Sequence, residues 1–298
     1  MLNGIDVSHW DEFSWKDEMK PLVLSKQLYF AYAKASEGTH STDGGYDNHR
    51  TGSANTGLLH GAFHFFLPTQ DIPDQVKAFS QKVGARRIGE LPPAVDIEWT
   101  KIVNEKTKKV VRPELWDQLT AAKRLEVTIA LVKEVEKVFG VKPVIYTHPN
   151  FWHNYIEAHN PATLLTQFAD YVLWNVDLKN ESKLPKPWMR ADFIQTHFGE
   201  SAPAHSSLYD RIDQDRYDGT LEQLLSLTMT GLVFDKTSTP VCQIVWDLQQ
   251  SLKEKGFYTH TVDGDFGVNT EQAVKDFQRS AGLNETGIVD KGTYELLI

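Results

Sequence analysis

Pro92-Pro93-Ala94-Val95-Asp96-Ile97-Glu98-Trp99 is an apolar run introduced by two prolines and closed by two acids with one residue between them. Read as a strand, its period of two puts both acids on one face, with Cα atoms about 6.6 Å apart at about 3.3 Å per residue. Two carboxylates this close in a half-buried mouth cannot both ionise easily, so one is expected to hold a proton near neutral pH. Around this stretch lie seven similar runs: Asn3 to Val7, Leu28 to Ala35, Leu59 to Phe66, Pro143 to Thr147, Tyr171 to Val176, Ala191 to Thr196 and Arg211 to Asp213. Pro73 opens a helical pattern with Val76, Phe79 and Val83 on one face, and Leu119 to Phe139 is a longer amphipathic stretch stopped by Gly140. Strands alternating with helices predict an α/β fold with parallel packing, a barrel related to the (β/α)8 plan that becomes irregular in its last third. In such barrels the working residues sit at the C-terminal ends of strands.

An arbitrary Asp-x-Glu more often caps a helix or forms a surface ion pair. Here two further acids stand at predicted strand ends, Asp6 in Gly4-Ile5-Asp6-Val7-Ser8 and Asp213 in Arg211-Ile212-Asp213. Four acids at one barrel mouth destabilise a site that does not use them.

Residues 1 to about 220 resemble the family 25 glycoside hydrolases, the Chalaropsis-type lysozymes. The resemblance rests on Gly4-Ile5-Asp6-Val7-Ser8, Lys34-Ala35-Ser36-Glu37-Gly38-Thr39, Gly57-Leu58, Gly61-Ala62-Phe63-His64-Phe65, Val95-Asp96-Ile97-Glu98, Val144-Ile145-Tyr146-Thr147, Leu173-Trp174, Ile212-Asp213 and Arg216-Tyr217. It implies an irregular (β/α)5β3 barrel that cuts the β-1,4 bond between N-acetylmuramic acid and N-acetylglucosamine. Glu98 would protonate the leaving oxygen. Asp96 would orient the substrate acetamido group or stabilise the positive sugar, and Asp6 and Asp213 would complete the site. The residues leave open whether an enzyme carboxylate or the substrate's own acetamido oxygen attacks; substrate assistance with net retention is favoured. Two positions depart from the family pattern, Phe63 where tyrosine is frequent and Ile194 before Gln195 where tryptophan is frequent, and both bear on how a sugar is held.

Tyr146, Trp174, Phe63 and His64 are carried as substrate-binding candidates, although a histidine inside an apolar strand more often serves as a hydrogen-bonded core residue. Lys34 and Glu37 are expected to form a structural pair. His148, His153 and His159 lack the spacing of a His-Glu-x-x-His site, so neither a catalytic metal nor a cofactor is expected.

The pattern breaks near Thr228, and positions 223–240 are expected to be a connector between a catalytic unit over 1–222 and a small all-α domain over 241–298. Val241, Val245 and Leu248 to Leu252 form one helical face, Thr270 to Ser280 gives a second helix capped near Asn269 or Thr270, and Thr293 begins a third. Cys242 lies on the first face and is expected to be core. The segment resembles the three-helix peptidoglycan-binding domain through Leu248-Gln249, Gly256-Phe257-Tyr258, Val262-Asp263-Gly264-Asp265-Phe266-Gly267, Thr270, Ala273-Val274, Phe277-Gln278, Gly282-Leu283 and Thr286-Gly287. Its Asp-Gly turn reads as fold-building, and Gly267 and Val268 break the calcium-loop pattern.

The net charge of −9 argues against nucleic acid as a partner. From 241 onward five basic face nine acidic residues, so wall binding would rest on shape and hydrogen bonds, not bulk positive charge. A single cysteine excludes an intrachain disulfide. The first residues show neither a basic nor an apolar leader region, and membrane insertion is not expected. The combined expectation is a monomeric wall hydrolase made in the cytoplasm, of phage-endolysin type, reaching bacterial peptidoglycan for host-cell lysis with the help of a holin. The alternatives are a non-catalytic glycan-binding wall adaptor, against which the four intact acids count, and a glucosaminidase or secreted effector.

Overall fold

Strands covered on both faces read as continuous apolar runs, and the runs of the first two-thirds behave this way. The computed structural model describes residues 1–297 apart from 88, 105–106, 182, 200–205, 229–233, 238 and 240–241. Among the described residues eight strands make the barrel: β1 (Leu2–Val7), β2 (Leu28–Glu37), β3 (Leu59–Phe65), β4 (Ala94–Asp96), β5 (Val144–Thr147), β6 (Leu173–Val176), β7 (Phe193–His197) and β8 (Asp213–Tyr217). A two-residue strand, Ser41–Thr42, pairs antiparallel with the end of β2 as a ninth member of the sheet. From β1 to β7 each strand pairs in parallel with the next. β8 runs antiparallel to both β7 and β1 and closes the barrel. The expectation of parallel packing therefore fails at the last strand. The register sets Phe193 opposite Tyr217 and Gln195 opposite Asp215, so β8 starts at the end where β7 stops.

Helices α1 (Lys20–Ser25), α2 (Tyr46–Asn55), α3 (Ile72–Val83) and α4 (Ala121–Phe139) follow the first four strands, short turns at Pro149–Trp152 and Ala162–Leu165 follow β5, and α5 (Leu221–Ser226) follows β8. The Asp71 carboxylate accepts from the Asp74 amide to start α3, whose Val76, Phe79 and Val83 are buried as the spacing predicts. Gly140 ends α4 in the left-handed conformation, φ 69°.

Inside the barrel pack Phe30, Tyr32, Phe63, Trp174, Phe193 and Tyr217. Two glycines make room for them. A Cβ on Gly4 would lie 2.3 Å from the Phe30 ring, and one on Gly61 2.1 Å from the Tyr32 ring. β2 also carries a bulge at Ala35, where Lys34 pairs with Phe63 and Ser36 with His64. The extra residue brings Lys34 and Glu37, three apart, to one side. There the Lys34 Nζ donates to Glu37 Oε2 at 2.7 Å.

The C-terminal part contributes α6 (Gln243–Glu254), α7 (Val268–Ser280) and α8 (Lys291–Leu297). Cys242 is buried as expected. The apolar faces of these helices belong to the same buried cluster as the barrel interior, which also holds Leu2 and Tyr29 at the starts of β1 and β2. The Tyr29 hydroxyl donates to Asp247 Oδ2 at 2.7 Å. These contacts lie where β1 and β2 begin, the end opposite to Asp6 and Glu37. Two buried glutamines organise the helices. Gln249 Oε1 accepts from the Asp263 and Gly264 amides while its Nε2 donates to Thr270 Oγ1; Gln278 Oε1 accepts from the Gly287 amide while its Nε2 donates to Thr293 Oγ1. Engaged in this way, Thr270 lies inside α7, and the residue before the helix is Gly267, not the expected Asn269 or Thr270. Of the expected connector and the start of the following helical face, positions 229–233, 238, 240 and Val241 lie outside the described residues, while Phe234 exchanges backbone hydrogen bonds with Val289. Among the described residues no helix is long and apolar enough to cross a membrane.

Candidate active site

The C-terminal ends of the parallel strands and the start of β8 surround one cleft of ≈ 690 Å³. Asp6 comes from β1, Asp96 and Glu98 from the end of β4, and Asp213 from the first position of β8. All four line the cleft, as do Tyr146, Trp174 and Phe63.

His64 does not. On β3 it alternates with Phe63 and Phe65 and so faces away from the barrel interior. It is buried under α3, with Nδ1 2.9 Å from Ser36 Oγ and Nε2 3.3 Å from Gln75 Oε1. Burial lowers its pKa to about 4, leaving a neutral imidazole. Its candidacy as a substrate contact is withdrawn on strand parity alone, since Phe63 and His64 cannot share a face.

Neighbouring elements pin the end of β4. Ile97 donates its amide to the Tyr146 carbonyl at 3.0 Å, the Ile97 carbonyl accepts from Thr147 Oγ1 at 2.8 Å, and the Glu98 carbonyl accepts from the Trp116 indole at 2.9 Å. The loop beyond is tied by the buried Glu114 carboxylate, which takes the Thr100 hydroxyl at 2.7 Å. The two acids thus emerge from rigid backbone into different surroundings. Asp96 is buried, whereas Glu98 is partly open to the cleft. Burial, and then the neighbouring Glu98 charge, hold the Asp96 carboxyl well above the usual range, with Lys34 acting in the opposite direction. Asp96 Oδ1 is buried without a hydrogen-bond partner among the described residues.

Opposite them lies a second acidic group that includes two residues not singled out from sequence. Gln195 on β7 accepts the Tyr146 hydroxyl at 2.7 Å and donates its amide to Asp6 Oδ2 at 2.7 Å and Asp213 Oδ2 at 3.2 Å. Asp213 also accepts from the Gly199 amide at 2.7 Å. Asp215, two residues further along β8, is buried and accepts the Trp174 indole N–H at 2.8 Å. Burial, followed by Asp215 and Asp213, raises the Asp6 carboxyl well above its ordinary value. Asp213-x-Asp215 repeats the period-two pattern of Asp96-x-Glu98, and the same reasoning applied to β8 finds it. Trp10, 82% exposed, and Trp99, 37% exposed, add aromatic faces at the rim. Among the described residues no cluster of three His, Cys, Asp or Glu side chains has the arrangement of a metal site.

A closed eight-stranded barrel with paired carboxyls at the mouth and aromatic rings beside them is the arrangement of a carboxyl-dependent glycoside hydrolase. The chain belongs to the glycosyl hydrolases family 25, whose pattern matches residues 5–195. Residues 243–297 match the family described as "Putative peptidoglycan binding domain". The chain is similar to the protein YegX of Escherichia coli O157:H7, 32% identical over 175 residues, which are 58% of this chain and 55% of that protein. It therefore spans about half the length of that relative. It is also similar to Lysozyme M1 of Streptomyces globisporus, 36% identical over 101 residues, 33% of each chain. In fold it resembles a muramidase from Acremonium alcalophilum, with a TM-score of 0.63 at 22% identity over 76% of this chain and 98% of that one.

Proposed function

We propose that this family 25 hydrolase is a muramidase that cleaves the β-1,4 bond between N-acetylmuramic acid and N-acetylglucosamine in peptidoglycan. The observation that carries the reading is the pair at the end of β4, with a buried Asp96 whose Oδ1 lacks a partner and a Glu98 open to the cleft. Carboxyls this near titrate as a unit that holds a proton more readily than either acid alone. Glu98, the member in reach of a substrate, gives that proton to the leaving glycosidic oxygen. An acetamido N–H of the sugar satisfies Asp96 Oδ1 and turns the acetamido oxygen toward the anomeric carbon, which supports substrate assistance with net retention. Asp6 and Asp213, held by Gln195, supply negative charge as the sugar becomes positive. Tyr146, Phe63 and Trp174 form the apolar wall on that side.

The finer architecture follows the same reading: a (β/α)5β3 barrel over 1–222, a connector over 223–240 and a three-helix module over 241–298 that holds the wall. Peptidoglycan is then the partner of both parts, and lysis of a host cell by a monomeric enzyme released through a holin is the matching biology.

The test is to digest purified peptidoglycan, reduce the new ends with borohydride and identify the reduced sugar. Muramitol is expected, and glucosaminitol overturns the bond assignment. Glu98→Gln should lower kcat by at least about 100-fold, the lower range for losing a positioned general acid; a variant cleaving at the wild-type rate removes Glu98 from that role.

A further inference from the structure

The pairing of β1 with β8 sets Asp6 opposite Asp213 and Gly4 opposite Asp215. Asp213 and Asp215 share the inner face of β8, so Asp215 lies one layer below the other two acids. It is 2% exposed. Its Oδ1 is taken by the Trp174 indole, while its Oδ2 is buried with no N–H or hydroxyl donor among the described residues. The neighbour that remains is the Asp6 carboxyl, on the same face across the β1–β8 pairing and interacting with Asp215. Gln195 already donates to Asp6 Oδ2. A hydrogen bond between two carboxyls exists only if one of them carries a proton, and two bare carboxylates in contact at a dry site repel.

We propose that Asp215 is a positioning residue that shares one proton with Asp6, so that this pair of acids beneath the cleft carries one negative charge instead of two. The groups facing Asp215 are consistent with this. They are Asp6 from β1, Asp213 from its own strand, the Trp174 indole, and the phenols of Tyr32 on β2 and Tyr209 in the turn before β8. Burial raises both phenols above their ordinary range, so they stay neutral. Burial also pushes the Asp215 carboxyl up to about 8, against the Trp174 indole and the hydrogen bond with Asp6, and with Asp213 acting in the same direction as burial. Once the shared proton is lost at higher pH, the pair becomes doubly charged. The added repulsion pushes Asp6 off the Gln195 amide and removes it from its place beside the sugar.

The inference rests on the cleft being a muramidase site, and its test has one arm that does not. In 13C-aspartate NMR, with resonances assigned by difference from Asp215→Asn and Asp6→Asn, Asp215 should titrate above pH 7. A midpoint below 5 overturns the shared proton whether or not the protein cleaves peptidoglycan. In activity, Asp215→Asn keeps an acceptor for the Trp174 indole and fixes the pair at one charge. The alkaline limb of its kcat/KM profile should therefore shift upward by at least one pH unit relative to its own maximum. Asp215→Ala, which also removes the second charge but strands the indole, should shift the limb in the same direction while losing activity at every pH. An Asp215→Asn profile with the wild-type alkaline midpoint overturns the proposal; if that variant is inactive at every pH, the wild-type Asp215 midpoint in the NMR titration decides.

Discussion

Gln195 joins Asp6, Asp213 and Tyr146 through one amide, which makes Gln195→Leu an informative perturbation. The change keeps the side chain's approximate volume and deletes both its acceptor and its donor. Two hydrogen bonds to acids are lost, at 2.7 Å and 3.2 Å, together with the 2.7 Å bond from the Tyr146 hydroxyl. A hydrogen bond to a charged group is worth about 1.5–3 kcal/mol net, and a stranded buried hydroxyl costs about 1–3 kcal/mol. Because Asp6 already resists ionisation, the two amide bonds should fall at the low end of that range. The expected destabilisation is about 4–6 kcal/mol. Gln195 also lowers the Asp6 pKa, so its loss makes the acid harder to ionise. If one such bond of about 1.5–3 kcal/mol is missing when positive charge develops on the sugar, kcat/KM falls by about 10- to 150-fold. Urea unfolding at pH 6 reads the first quantity, and initial rates on peptidoglycan from pH 5 to 8 read the second. A Gln195→Leu protein within about 0.5 kcal/mol of wild-type stability and with wild-type kcat/KM refutes the idea that Gln195 organises the acids.

Trp10→Ala, at a ring 82% exposed on the cleft rim, should raise KM about 3- to 10-fold through loss of a stacking face worth about 0.5–1.5 kcal/mol, with an unchanged Tm; an unchanged KM removes Trp10 from the binding surface. The pH dependence of stability has a definite sign. Asp6, Asp96 and Asp215 are all raised in the folded state, so the native protein keeps protons that the unfolded chain releases above about pH 4. Their contribution is fully present below that pH and is lost as pH rises toward about 8, where Asp215 titrates. Tm should therefore be higher at pH 5 than at pH 8, by less in Asp215→Asn, and an equal drop in both proteins contradicts the assignment. Tyr29→Phe deletes the buried 2.7 Å bond to Asp247 and should cost about 1 kcal/mol in a single calorimetric transition covering the whole chain; two separate transitions argue against a shared core.

Seven of the eight barrel strands could be read from the sequence because buried strands between helices are long apolar runs with turn residues at their ends; the eighth, expected over Arg211–Asp213, runs Asp213–Tyr217, a polar stretch that Asp213 opens instead of ending. The direction of β8 could not be read, since period-two patterning is blind to polarity. Nor does the sequence announce that Lys34 and Glu37 meet: at a spacing of three they belong to opposite faces, and only the bulge at Ala35 reunites them. Asp6, Asp96, Glu98 and Asp213 stood out as acids at strand ends. Asp215 was missed because it sits deeper in its strand, where an acid reads as an exposed alternate position, and Gln195 because an uncharged amide gives no signal until the acids it bridges are placed. Trp10 was passed over because an aromatic beside a strand end is as readily core as rim.

The C-terminal helices sit against the end of the barrel where β1 and β2 begin, while the cleft opens at the other end. A six-residue strand such as β1 spans about 20 Å. On the proposed reading, a wall polymer held by those helices would lie about a strand's length from the bond in the cleft, so the hold need not be released when that bond is cut.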